Sequence, residues 1–149
     1  MSDVNIVAGE TLLIMLGDGG SPENFTHPCA INTDRSVEFK TNFTETPVAD
    51  CANPSKPAKI VRKPQSTDLT ISGAGKTDAP TIFDLISWQQ GGLPRNIKVV
   101  QNLTGAQGGF TGTGSAYISS LKTGGARGDY QDFTIEILPA APFIWTKNA

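Results

Sequence analysis

Alternation of apolar and polar side chains recurs along most of this chain. Val37, Phe39 and Phe43 are interleaved with Glu38, Lys40 and Asn42. That period of two places the apolar side chains on one face of a half-buried strand. Leu69 and Ile71 alternate with Asp68, Thr70 and Ser72, and Ile97 and Val99 flank Lys98. Further on, Ala116, Ile118 and Ser120 oppose Tyr117, Ser119 and Leu121, while Phe133, Ile135 and Ile137 alternate with Thr134 and Glu136. Glu10 to Leu16 is a short, strongly apolar strand ended by the turn cluster Gly17 to Pro22. Phe143-Ile144-Trp145 forms an apolar end after Pro139 and Pro142 interrupt the pattern.

One segment follows helical spacing instead. Between Pro80 and Gln90, Ile82, Leu85, Ile86 and Gln89 fall on one face, with Phe83 and Trp88 flanking it. Asp78 or Thr81 can cap its start, Pro80 suits a first turn, and Gly91-Gly92 stops it. Such a helix covers one side or end of a sheet. Thr44 to Ser66 reads as irregular, because it holds Pro47, Pro54, Pro57 and Pro64 among Lys56, Lys59, Arg62 and Lys63. Connections of this length are uncommon in compact domains. Ile60 and Val61 remain available for burial there, which favours a loop that orders against a partner over a merely solvated one. Met1 to Gly9 has weak periodicity and reads as an N-terminal arm. The expected fold is mainly β: an antiparallel sandwich or barrel with one packed helix over about 80–90 and a long loop over about 44–66, in a single domain spanning 1–149.

A chain of 149 residues can bury one core. A formal charge of -2 argues against tight non-specific nucleic-acid binding, which requires clustered Lys and Arg. The start Met1-Ser2-Asp3-Val4-Asn5 lacks the features of a secretory signal, and Leu12 to Leu16 is too short to span a bilayer. The expectation is a protein made in the cytosol, with no membrane partner. Cys29 and Cys51 then read as reduced, small hydrophobes.

Each candidate for chemistry fails on spacing. Ser72-Gly73-Ala74-Gly75-Lys76-Thr77 suggests a phosphate loop, but the position five residues before Gly75 is Thr70, and a turn is expected. Gly112-Thr113-Gly114 lacks the third glycine of a dinucleotide fingerprint, since Tyr117 stands there. Flexibility or close packing accounts for it better. His27 beside Pro28 and Cys29 makes neither a triad nor a metal set and is expected in a turn or at the surface. Arg127-Gly128-Asp129 reads as a turn rather than a cell-attachment site. Asn24-Phe25-Thr26, Asn42-Phe43-Thr44 and Asn102-Leu103-Thr104 are glycosylation sequons only in a secreted eukaryotic chain. No catalytic residue, cofactor or metal is expected.

The order of these segments resembles the tail tube (major tail) proteins of long non-contractile tailed phages and of phage-derived gene transfer agents. The resemblance spans roughly Thr11 to Trp145. It rests on Leu69-Thr70-Ile71-Ser72-Gly73-Ala74-Gly75 before the single helix, and on Gly109-Phe110-Thr111-Gly112 leading into Ala116 to Leu121. It continues through Thr123-Gly124-Gly125 and Asp129 to Ile135, with Leu12-Leu13-Ile14 and Ser36-Val37-Glu38-Phe39 as the first two strands. The stretch Ala49 to Pro64 departs from it.

The resemblance implies a virion protein assembled in the host cytoplasm. Its subunits would form homohexameric rings stacked into a hollow tube around a tape-measure protein. Tail terminator and distal tail proteins would be further partners. DNA would pass through the lumen without specific binding. Loops and arms join successive rings in that family, so Thr44 to Ser66 and Met1 to Gly9 become the candidate assembly elements. The candidate interface residues are Val4, Ile6, Val48, Lys56, Lys59, Ile60, Val61, Arg62 and Lys63. Two other readings compete: a monomeric β-sandwich binding module, which would show an aromatic platform, and a related tube or terminator component of a tail or secretion system.

Overall fold

The computed structural model describes residues 6–19, 23–27, 31 and 33–149. Among them run β1 (Leu12–Gly17), β2 (Phe25–Thr26), β3 (Asp34–Val48), β4 (Lys59–Lys76), α1 (Ala79–Gly91), β5 (Arg95–Gln101), β6 (Phe110–Gly124), β7 (Asp132–Pro139) and β8 (Ile144–Lys147). All the strands belong to one sheet of order β2-β1-β5-β6-β7-β4-β3, with β8 added on β6. By internal packing the chain divides into two units, Met1–Val37 with Thr70–Ala149, and Glu38–Leu69.

In the first unit β6 joins two sets of strands. Its early residues pair with β5 on one edge (Gly112 with Val99) and with β8 on the other (Gly112 with Trp145). Ala116 then pairs with both Arg95 and Pro139, so β7 takes over the edge that β8 leaves. A register shift between Ile118 and Ser120 accompanies this handover, as expected where a long strand bends from one layer toward another. The result is a β-sandwich-like antiparallel fold with one helix.

The alternation seen in the sequence becomes a one-sided core. Ile14 and Leu16 of β1, Ile97 and Val99 of β5, Ile71 of β4, and Phe133, Ile135 and Ile137 of β7 are buried, while the intervening residues are more exposed. Each such side chain contributes about 1.5–3 kcal/mol by leaving water. Ile31 is fully buried and fits against Gly73, where a Cβ would stand 2.7 Å from its Cγ2. Ser72 to Lys76 is therefore strand rather than the expected turn, with Gly73 opposite Ile135 and Gly75 opposite Phe133. Glycine stands at 73 to admit Ile31, not to bend the chain.

The helix begins near Asp78, carries Pro80 in its first turn, and ends at Gly92 with φ of 70°. Glycine adopts that left-handed conformation at little cost, so the stop is local chemistry. The expected face is rotated. Leu85 and Trp88 are the buried residues, whereas Ile86, Gln89 and Phe83 are exposed. The indole of Trp88 outweighs the smaller chains, and its N–H donates to the Leu93 carbonyl at 3.0 Å.

His27 is not a free surface residue. Its Nε2 lies 2.8 Å from the Ile31 carbonyl and its Nδ1 2.9 Å from the Ile14 carbonyl, so the imidazole sits between the two segments whichever nitrogen carries the proton. It ties β1 to the segment that buries Ile31. Arg127-Gly128-Asp129 does lie in the β6–β7 turn, with Gly128 at φ 88°.

Candidate assembly surfaces

The second unit, Glu38–Leu69, is a two-stranded antiparallel hairpin. Most of the segment expected to be irregular is extended: β3 continues to Val48 and β4 starts at Lys59, leaving residues 49–58 as the connection. Pro47 and Pro64 fit within these strands because a two-stranded ribbon leaves half of its N–H groups unpaired. At the tip the Asp50 carboxylate accepts the N–H groups of Ala52 (2.9 Å) and Asn53 (3.3 Å), and the Asn53 carbonyl accepts Lys56 N–H at 3.1 Å. These local bonds shape the connection without any core. Asn42 donates to Ser66 at 3.1 Å, and Arg62 Nε donates to Glu45 at 2.9 Å.

Apolar side chains on this hairpin are largely exposed. Phe39, Phe43, Val48, Ile60 and Val61 are each between 50% and 63% exposed. Phe39 and Phe43 share one face of β3, as the sequence pattern requires, but that face is solvent-exposed instead of half-buried. The pattern reports that residues share a face and says nothing about what covers it. A two-stranded ribbon is marginally stable alone, and clustered exposed apolar groups mark interaction surfaces.

The candidate residues divide accordingly. Val48, Lys56, Lys59, Ile60, Val61, Arg62 and Lys63 all fall on the hairpin and are exposed. Arg62 is engaged by Glu45, an ion pair with both side chains more than half exposed and so worth about 0–1 kcal/mol. Ile6 is 92% exposed ahead of β1, and Val4 lies outside the described residues. Phe39 and Phe43 belong with this group. The sequence offered their shared face but not its exposure. Cys51, at the hairpin tip, is a free and exposed thiol rather than a tucked hydrophobe. Cys29 lies outside the described residues.

Elsewhere, β2 and β3 end the sheet path and leave edges of the kind that invite strand addition. A cleft of about 560 Å³ on the first unit is lined by Asp34, Arg35, Ser36, Ser72, Thr134 and Glu136. Ser36 and Ser72 hydrogen-bond each other, and among the described residues no histidine or thiol lines the cleft to activate them. Nearby, the Lys76 ammonium donates to Asp132 at 2.7 Å, and that bond, with the carboxylate charge, raises its pKa above the usual lysine value. Among the described residues no group of three or more His, Cys, Asp and Glu could hold a metal, and no helix is long and apolar enough to cross a membrane.

The sequence model of the phage tail tube protein family matches residues 6–141. The chain belongs to the phage tail tube protein family. Solved structures agree with that fold. A chain in the tail of an empty gene transfer agent particle, determined with helical refinement and C6 symmetry, superposes with a TM-score of 0.73 at 19% identity, over 95% of this chain and 99% of that one. A chain of the native gene transfer agent virion gives 0.70 at 17% identity over 95% and 99%. The tail tube of SPP1 gives 0.64 at 12% identity over 96% and 80%. No curated protein matches the chain in sequence. As a tail tube protein it is a structural component of the virion tail and not an enzyme. Its surfaces are thus to be understood as surfaces for assembly.

Proposed function

We propose that this tail tube protein closes into hexameric rings that stack into a hollow tube, through which DNA leaves the particle. The observation that carries this is the Glu38–Leu69 hairpin, which exposes Phe39, Phe43, Val48, Ile60 and Val61. Burial against the next ring would remove those side chains from water. Lys56, Lys59, Arg62 and Lys63 beside them suit carboxylates on the neighbouring copy. Ile6, exposed ahead of β1, is a further candidate for contact with a neighbouring copy. The C6 symmetry of the gene transfer agent tail supports six copies per ring, since the fold is shared. An overall charge of -2 suits a conduit, because a lysine-rich wall would hold phosphates in place. A tape-measure protein in the lumen, with terminator and distal tail proteins at the ends, completes the reading.

Negative-stain imaging of the purified protein over a concentration series tests it. Rings and tubes that lengthen with concentration are expected. A monomer at every concentration would overturn the reading.

A further inference from the structure

Helix α1 is apolar on two sides. Leu85 and Trp88 are buried where it packs on β6, yet Phe83 is 71% and Ile86 39% exposed. Phe83 and Ile86 stand three residues apart and so share one outer face. Leu93 joins them at the helix end. Its carbonyl accepts the Trp88 indole N–H at 3.0 Å, which holds the residue there with its side chain 74% exposed. A helix that is apolar all round is one that becomes covered all round. The Phe83–Ile86–Leu93 patch is the side that this chain leaves in water.

The flank of this patch is acidic. Residues 79–91 hold Asp84 and no lysine or arginine. Asp84 accepts an N–H of Arg95 at 2.8 Å, and Arg95 Nε donates to the Gly17 carbonyl at 2.6 Å. Asp18 follows Gly17, and the Glu23 carboxylate lies against that glycine. Three carboxylates thus gather around one half-buried guanidinium. The hairpin carries the opposite sign. In Lys59-Ile60-Val61-Arg62-Lys63 an apolar pair is flanked by cations on both sides. Strand alternation puts Val61, 56% exposed, on the face of β4 shared with Lys59 and Lys63. Arg62 is taken by Glu45, but among the described residues neither lysine forms an ion pair.

We propose that the Phe83–Ile86–Leu93 patch of one copy receives the hairpin of a second copy, with Val61 seated on the helix and Lys59 and Lys63 directed at Asp84, Glu23 and Asp18. The inference names the surface that the hairpin meets, and it rests on the self-assembly reading above. Each surface leaves apolar groups in water, and the carboxylates beside one answer the lysines beside the other. Two helix patches meeting face to face would instead bring like-charged flanks together. Donor and acceptor are different surfaces, so the contact repeats from copy to copy rather than ending at a dimer.

The test uses full-length chains in which Cys29 and Cys51 are serine. One preparation carries Ser87→Cys, one turn beyond Phe83, labelled with benzophenone maleimide. It is co-assembled as the minor component with isotope-labelled chain that bears no benzophenone, irradiated, and mapped by mass spectrometry. Cross-links from position 87 into residues 59–63 of the isotope-labelled copy are expected, at least about tenfold more abundant in tubes than in the dispersed mixture at the same total concentration. Phe83→Ser should keep the parent melting temperature while raising the concentration at which tubes form by at least about tenfold. Tubes whose cross-links run from position 87 to any other region, the helix of a second copy included, would overturn the docking and leave the tube reading intact. An unaltered assembly threshold for Phe83→Ser would do the same. Failure of the parent chain to assemble at any concentration would overturn both.

Discussion

Trp145 stands directly opposite Gly112 in the β6–β8 ladder, and its indole fills the space that a side chain at 112 would need. Gly112→Ala is expected to cost about 1–3 kcal/mol through overpacking, and Gly112→Val more. At about 2–4 °C per kcal/mol for a chain of this size, thermal unfolding followed by near-UV circular dichroism should show the loss. An unchanged melting temperature would mean that Trp145 does not rest on this strand.

Arg95 is the cation that joins α1 to the sheet. Its Nε donates to the Gly17 carbonyl at 2.6 Å, a second nitrogen bonds Asp84 at 2.8 Å, and the group sits 5.7 Å from the Trp88 ring. The half-exposed Asp84 contributes little, so Asp84→Asn should cost under about 1 kcal/mol. Arg95→Met should cost about 1–3 kcal/mol, because it leaves the Gly17 carbonyl without its donor. Lysine should restore little, since a point charge cannot reach carbonyl, carboxylate and ring together. Urea unfolding of the three variants would establish the order.

The hairpin variants should separate stability from assembly. Phe39→Ser and Phe43→Ser remove exposed side chains and should leave the melting temperature within about 2 °C, as for other exposed sites. Tube yield in sedimentation should fall sharply. Reversing Lys59 and Arg62 to Glu should also impair polymerisation, with added salt weakening assembly of the parent chain. Unaltered tubes from the charge-reversed chain would remove the hairpin from the interface.

Lys76 carries the described pKa shift, upward from 10.5, because it donates to Asp132 and feels that carboxylate's charge. A group whose folded pKa is raised stabilises the fold below its unfolded pKa and loses that contribution as pH climbs through the folded value. The parent chain should therefore lose a small increment of stability above about pH 10.4 that Lys76→Met never possessed. Between neutral pH and that point the difference between the two should stay constant. Denaturant midpoints along the alkaline limb would show whether the curves converge.

Much of the fold was readable in the residues themselves. Ile71, Ile97, Val99, Phe133, Ile135 and Ile137 fall where alternation puts them, and Gly91-Gly92 ends the one helix. The same rule misjudged Phe39 and Phe43, for a reason built into it. Periodicity is a property of one strand, whereas coverage depends on what packs against it, and Phe133 and Phe39 obey the same local pattern with opposite outcomes. Proline content likewise misjudged residues 44–48 and 59–66. A hairpin leaves alternate N–H groups unpaired, so its strands tolerate Pro47 and Pro64 where an inner strand would not.

What the sequence determined by itself was local: where strands run, where the helix stops, and the lack of any reactive set at workable spacing. Tertiary structure decided what those local units meet. It showed that Gly73 makes room for Ile31, that Gly112 and Gly114 make room for Trp145 and Phe143, and that His27 links β1 to the segment bearing Ile31. It also showed that the apolar face of the hairpin is exposed. The reason is physical: a residue's conformational preference acts through its neighbours in sequence, but burial and close contact depend on residues that only folding, or another subunit, brings near.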